Sequence, residues 1–189
     1  MAWNLFPVLS TPRLLLRELQ QRDAAAWYAL QTDPAVMRWY GADMPRDVAQ
    51  VERLIADYRS WQQAQSGIRW GIELEGQLIG SCGFARINRG WHNAMLGYEI
   101  GPAWQGQGLM QEALQAILHY GFTSFQFHRI AAEIHHDNQA SIKLVQKLGF
   151  RYEGVHREVG LWGGKWHDLD VFSLLEQEWE AQGVSAPRG

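Results

Sequence analysis

The chain has 189 residues, of which 47% are hydrophobic and 20% are charged, and its formal net charge is -3. These values predict a single globular domain over residues 1–189 and exclude a disordered chain. The charge offers no basic field for nucleic acid, and the single cysteine excludes an internal disulfide and a multi-cysteine zinc site.

No apolar run is long enough to cross a membrane, and the first residues lack the positive charge of a signal peptide. We therefore expect a cytoplasmic protein with no direct nucleic-acid or membrane partner. Its folded core should cover about residues 10–175, and residues 182–189 should form a disordered tail.

The hydrophobic pattern alternates between strands and helices along the chain. Strands are predicted at 13–17, 68–74, 78–84, 95–100, 129–134, 151–161 and 166–174. Helices are predicted to begin near Asp23, Val48, Leu109 and Asn138. This order predicts an α+β fold, with a mixed, mostly antiparallel seven-stranded sheet flanked by four helices. The Trp-rich strands and an exposed hairpin would suit a homodimer.

The glycine-rich segment Gln105-Gly106-Gln107-Gly108 lies between a predicted strand and a predicted helix. The first amides of a helix have no internal partner, and glycines before them let a phosphate approach the backbone. The segment therefore indicates a pyrophosphate site, although a tight turn that binds nothing is the alternative. It is not a Rossmann motif, because Gln111 occupies the third glycine position.

Several motifs in the right order resemble those of the GNAT superfamily of N-acetyltransferases. They are Thr11-Pro12-Arg13-Leu14-Leu15-Leu16-Arg17, Gln105-x-x-Gly108, Asn138-x-x-Ser141 and Leu148-Gly149-Phe150. Further segments resemble the bacterial branch that acetylates ribosomal-protein N-termini, the ribosomal-protein-alanine N-acetyltransferases. They are Gly108-Leu109-Met110-x-Glu112-Ala113-Leu114, His128-Arg129-Ile130, Glu153-Gly154 and Gly164-x-Trp166-x-Asp168.

The resemblance implies that the strands at 95–100 and 129–134 splay apart and admit the pantetheine arm of acetyl-CoA between them. The backbone of Ile100 would pair with that arm, and Asn138 and Ser141 would lie near the thioester. The pyrophosphate would be held by Gln105, Gly106, Gln107, Gly108, Leu109 and Met110. Met110 departs from the usual Gly or Ala, which is tolerated if its side chain points into the core.

The resemblance also suggests candidates for catalysis. Glu99 is the candidate base, and the alternative is a carboxylate that faces solvent. The superfamily often has a tyrosine acid where this chain has Val145, so Ser141 is the substitute; alternatively, it is a small residue that admits the cofactor. Some members of the branch carry a glutamate where this chain has Gly160, and that role is not transferred to Glu158.

The acceptor site is less defined by the sequence. Trp39 and Tyr40 lie where the branch shapes its acceptor pocket, but a packing role is the alternative. No metal site is expected at His135-His136-Asp137, because adjacent residues at a strand end should point to opposite faces.

These observations predict an N-acetyltransferase that uses acetyl-CoA and no metal. The expected acceptor is the N-terminal amine of a ribosomal or other protein. A small-molecule amine such as an antibiotic or polyamine is one alternative, and a non-catalytic acyl-CoA-binding module is the other.

Overall fold

The computed structural model describes residues 5–183, which form one eight-stranded sheet with helices on both faces. The strands are β1 Leu9–Ser10, β2 Leu15–Glu18, β3 Ile68–Leu74, β4 Gln77–Asn88, β5 Asn93–Ile100, β6 Arg129–His135, β7 Arg151–Trp162 and β8 Lys165–Leu175. The α-helices are α1 Ala24–Gln31, α2 Pro34–Met37, α3 Val48–Gln63, α4 Leu109–Thr123, α5 Gln139–Lys147 and α6 Glu176–Ala181. Short 3-10 helices span Gln21–Asp23 and Pro102–Trp104.

The predicted α+β class is confirmed, while the described residues contain one more strand and two more helices than expected. The additional elements are β1, α2 and α6, which have two, four and six residues. Such short segments give no periodic hydrophobic signal. Asp33 caps the start of α2 at Pro34, because its carboxylate accepts a hydrogen bond from the Ala35 amide at 2.8 Å.

The strand order β1-β2-β3-β4-β5-β6-β8-β7 contains a single parallel pair, β5 with β6. These two strands are paired only where Asn93, Ala94 and Met95 face residues 129–131. Beyond Met95 they diverge, while β5 continues to pair with β4 as far as Ile100. The predicted splay between these strands is therefore present, and it opens a gap inside the sheet.

Each face of the sheet carries its own hydrophobic cluster. One face packs against α4, with Trp70, Leu114 and Ile117 in its cluster. The opposite face packs against α1 and α3, with Trp27 and Val51 in its cluster. Because side chains alternate along a strand, successive side chains of β5 point to opposite faces of the sheet next to the gap.

The carboxyl-terminal part of the described chain packs against the domain. The side-chain amide of Gln182, the first residue of the predicted tail, donates to the carbonyl oxygen of Leu148 at 3.3 Å. The rest of that prediction, residues 184–189, lies outside the described residues. None of the helices within residues 5–183 is long and apolar enough to span a membrane. The homodimer stays a prediction.

Candidate active site

The loop before α4 has the backbone geometry of an anion-binding turn. Gly106 and Gly108 have φ angles of +73° and +75°, a left-handed conformation that glycine adopts without steric cost. Gly108 is also the N-cap of α4 and provides no side-chain cap, so the first amides of the helix remain available. Successive amides in such a loop form a concave site for phosphate oxygens, and the residues present therefore fit a diphosphate.

A cavity of about 520 Å³ leads from this loop into the gap between β5 and β6. Its lining includes most of the predicted coenzyme residues, namely Ile100, Gln105, Gly106, Gly108, Leu109, Met110, Asn138 and Ser141. Gln107 is not part of this lining, and its carbonyl oxygen instead accepts a hydrogen bond from Arg13. The side chain of Met110 is buried in the core, as its departure from the family pattern requires.

A second cavity, also of about 520 Å³, lies on the other side of the gap. The two cavities share the lining residues Trp39, Tyr40, Tyr98, Asn138 and Ser141. A thioester that enters from the first cavity and an amine that enters from the second would meet at this junction. We call the first the coenzyme cavity and the second the acceptor cavity.

A hydrogen-bonded pair of hydroxyl groups lies at the junction. Tyr98, on β5, is hydrogen-bonded to Ser141, in the first turn of α5. The helix turn is fixed by Asn138, whose side-chain oxygen accepts a hydrogen bond from the Ser141 amide at 3.2 Å. Burial raises the pKa of Tyr98 to about 12, so its phenol stays protonated at neutral pH.

Tyr98 is not among the residues predicted from the sequence, because the tyrosine acid of the superfamily was expected on the helix that begins near Asn138. Val145 occupies that position and is fully buried in the core. A usable signal was the alternation along β5, which sends Tyr98 to the same face as Ile100.

The carboxylate of Glu99 is buried beside Trp27, on the sheet face that packs against α1 and α3, and it does not face solvent. One oxygen accepts hydrogen bonds from the Trp27 indole at 3.0 Å and from the Ser81 hydroxyl, and the other is paired with Arg69. The Arg69 guanidinium occupies space next to Gly97, where a methyl group would lie 3.1 Å from its Nη1. Charge pairing with Glu99 raises the pKa of Arg69 above its ordinary value, even though burial acts in the opposite direction.

The acceptor cavity is walled by aromatic rings from separate parts of the chain. They are Trp39, Tyr40, Tyr58, Trp61 and Trp162. Within residues 5–183, Glu133 is the only carboxylate that lines this cavity. Both of its oxygens accept hydrogen bonds, one from His156 at 2.9 Å and the other from Arg86 at 3.1 Å. Among the described residues that line the cavity, no carboxylate is therefore left without a partner.

The turn after β6 differs from its prediction. The rings of His135 and His136 stack with their centroids 4.3 Å apart, so the expectation that they point to opposite faces is wrong. The regular alternation of a strand ends at His135, and His136 belongs to the following turn. The Trp39 ring also stacks on the His135 ring, and their centroids are 4.5 Å apart. Burial, with some help from His136, lowers the pKa of His135.

The β7–β8 hairpin explains why no acid lies at Gly160. A methyl group at Gly160 would come within 2.4 Å of the Trp162 ring, so the indole fills the space that a larger side chain would need. Glu158 lies in an irregular part of β7 with a φ of +50°, and its amide donates to the Asp168 carboxylate at 2.7 Å.

Comparison with known proteins agrees with this geometry. Residues 13–151 match the model of the acetyltransferase (GNAT) domain. The chain is 39% identical over 187 residues to the [ribosomal protein uS5]-alanine N-acetyltransferase of Escherichia coli, covering 90% of this chain and 92% of that protein. It is 35% identical to the uncharacterized N-acetyltransferase YoaA of Bacillus subtilis, covering 91% of this chain and 98% of that protein.

A solved structure extends the comparison. Mycobacterium smegmatis RimJ in complex with CoA-disulfide superposes with a TM-score of 0.81 at 24% identity, covering 96% of this chain and 95% of that chain. The fold, the family match and the sequence relatives agree, and this chain belongs to the GNAT family of acetyltransferases that use acetyl-CoA.

Proposed function

We propose that this enzyme acetylates the N-terminal α-amine of a protein, with a ribosomal protein as the acceptor. The observation that carries the proposal is the charge balance of the acceptor cavity. Among the described residues that line it, the single carboxylate, Glu133, already has two partners, so a polyamine would find no free anion for its second ammonium group. A peptide N-terminus carries a single amine and would place its uncharged parts against the aromatic walls. The relative that acts on ribosomal protein uS5 supports the same acceptor class.

The proposal assigns the coenzyme to the first cavity. The amides of residues 105–110 would bind the diphosphate, the backbone of Ile100 would contact the pantetheine arm, and Asn138 and Ser141 would lie near the thioester. Acetyl-CoA supplies an activated acetyl group whose carbonyl carbon can accept an amine. The β5 amides that face the gap have no β6 partner beyond Met95 and could stabilise the oxyanion.

Proton transfer follows from the pair at the junction. As the amine nitrogen bonds to the carbonyl carbon and the carbon–sulfur bond breaks, the leaving thiolate needs a proton and the new amide must lose one. Ser141 would protonate the sulfur, and the proton lost from the amine nitrogen would pass to the Ser141 oxygen and restore its hydroxyl. Tyr98 would hold that hydroxyl in place. An α-amine has a pKa of about 7.7–8.0, so a substantial fraction is neutral at pH 7 without a strong base.

For Glu99, the geometry favours a positioning role over the predicted role as base. Both carboxylate oxygens of Glu99 already accept hydrogen bonds. Arg69 would have to release its oxygen before Glu99 could take a proton there. We infer that Glu99 fixes Arg69 at the base of the acceptor cavity. Trp39 and Tyr40, which line both cavities, would then contact the acceptor next to the reacting atoms.

The experiment offers the enzyme acetyl-CoA with either spermidine or a peptide that has both a free N-terminus and an internal lysine. Tandem mass spectrometry locates the added acetyl group. The proposal predicts acetylation of the peptide α-amine, with little product from the lysine or from spermidine. Preferential acetylation of spermidine would support the small-molecule alternative. If the enzyme binds acetyl-CoA but releases no thiol with any amine, it is a non-catalytic binding module.

A further inference from the structure

A polar cluster outside both cavities joins the amino-terminal segment to the first turn of α4. One oxygen of Glu112 accepts hydrogen bonds from the Thr11 hydroxyl at 2.6 Å and from the Arg13 amide at 2.9 Å. The other oxygen accepts from Arg13 Nε at 2.7 Å. These contacts connect two segments about 100 residues apart in the chain, and the mechanism described above does not use them.

The position of Glu112 is unfavourable for a helix that binds a diphosphate. It lies in the first turn of α4, close to the loop assigned to the phosphates, and its side chain is 16% exposed. Partial burial alone would raise the pKa of Glu112, but hydrogen bonds from Thr11 and Arg13 outweigh it and hold the pKa below its ordinary value. The carboxylate is therefore ionised at neutral pH, and without a counter-charge it would repel the phosphates.

Arg13 also contacts the phosphate loop itself. Its Nη1 donates to the carbonyl oxygen of Gln107 at 3.0 Å. Gln107 lies between the two left-handed glycines, so this hydrogen bond keeps the Gln107 carbonyl oxygen directed towards Arg13. The remaining nitrogen, Nη2, lies next to Gly108, where a methyl group would be 3.6 Å away from it.

We propose that Arg13 is a positioning residue for coenzyme binding: it fixes the Gln107 carbonyl and neutralises Glu112, so that the loop presents its amides without a net negative charge beside them. This inference rests on the proposed function, because it requires the diphosphate to bind at residues 105–110. Arg13 is 46% exposed, and exposed ion pairs contribute little to stability. Its loss should therefore affect coenzyme affinity more than folding.

The test measures coenzyme A binding by calorimetry for Arg13→Gln, Glu112→Gln and the double variant. Arg13→Gln should weaken binding about tenfold, because it leaves an ionised carboxylate beside the phosphates. The double variant should recover most of that loss, since the carboxylate is gone. Glu112→Gln alone should bind at least as tightly as the wild type. This rescue is not expected if Arg13 only supports the fold.

Two further variants complete the design. Arg59→Gln breaks the exposed Arg59–Glu18 pair, in which the closest atoms are 2.9 Å apart, and should leave binding unchanged. Arg13→Lys keeps the charge but lacks the fork that contacts both Glu112 and Gln107, so its affinity should be intermediate. This milder variant serves if Arg13→Gln does not fold. At saturating acetyl-CoA, kcat of the Arg13 variants should stay within about twofold of the wild type, while KM for acetyl-CoA rises.

The proposal is overturned if the double variant binds as weakly as Arg13→Gln, or if kcat falls while KM for acetyl-CoA is unchanged. It is also overturned if Arg13→Lys binds coenzyme A like the wild type when Arg13→Gln cannot be prepared. A wild-type protein that binds no coenzyme A would instead contradict the proposed function, so the two failures are distinguishable.

Discussion

The two sides of the β5–β6 gap are built in different ways. Much of the coenzyme side comes from two short segments, residues 105–110 and 138–141, which α2 and the end of β5 complete. The loop before α4 owes its shape to backbone angles at two glycines. The acceptor side comes from residues on α3, on the strands β3 to β7 and in the loop after α2. Coenzyme binding should therefore be sensitive to backbone geometry, and acceptor binding to side-chain packing and charge. Substitutions on the two sides should change different kinetic constants.

The largest effect is expected at the junction of the two sides. Ser141→Ala should lower kcat about 100-fold, because the leaving thiolate loses its proton donor, while KM for acetyl-CoA changes less. Steady-state kinetics measure both constants. Ser60→Ala, which removes an exposed hydroxyl on α3, is the matched control. An unchanged kcat for Ser141→Ala would remove Ser141 from the acid role.

The next effect separates the coenzyme side from the acceptor side. Gly108→Val should weaken coenzyme A binding about 10- to 100-fold, because a β-branched residue does not adopt a φ of +75° without strain. KM for the amine should change little. Gly76→Val is the control, since Gly76 has a φ of +81° in the distant β3–β4 turn and its substitution should lower only stability. Equal coenzyme affinity in the two variants would show that the loop geometry does not determine binding.

Arg69 lines the acceptor cavity, so Glu99→Gln should lower kcat/KM for the amine about tenfold, because Arg69 loses its buried counter-charge. The acidic limb of the pH–rate profile should stay where it is, since the proposal gives Glu99 no proton to accept. A matched variant, Glu52→Gln, changes an exposed carboxylate on α3. If the limb moves only in Glu99→Gln, then Glu99 is the base, as the sequence analysis predicts.

The smallest effect concerns the stability of the junction. The raised pKa of Tyr98 means that the folded state favours the neutral phenol, so its contribution is complete below the ordinary pKa of about 10 and is lost as pH rises towards 12. The free energies of unfolding of the wild type and Tyr98→Phe should therefore differ by a constant amount from pH 7 to 9. Above pH 10 the wild type should lose stability relative to the variant. Urea titrations across this range would contradict the account if the two proteins respond in parallel.

The same contrast explains how much the sequence could predict. The conformation of the loop before α4 was predictable because glycines before a helix impose a local geometry, and the turn at Asn138 and Ser141 was predictable because its motif has a fixed spacing. The order of the long strands was also predictable from their hydrophobic patterns. These signals are local, and each requires only a few neighbouring residues.

The acceptor side could not be predicted from local patterns. From the sequence alone, Arg69 and Glu99 are ordinary strand residues. Their buried ion pair forms only because β3, β4 and β5 are neighbours in the sheet. Tyr98 meets Ser141 across the gap between two strands whose divergence is a tertiary feature. From the sequence alone, Glu112 is expected to be a solvated helix residue. Its contact with Arg13 forms only when the amino-terminal segment packs against α4.

The central claim is that the amine and the thioester meet at the Tyr98–Ser141 junction and react directly, with both bound at the same time. Initial rates measured while acetyl-CoA and an N-terminal peptide are varied together test this claim. We expect intersecting double-reciprocal lines, and no mass increase of the enzyme when acetyl-CoA is added alone. Parallel lines together with an acetylated enzyme would show that the acetyl group is first transferred to the protein, which would contradict the account.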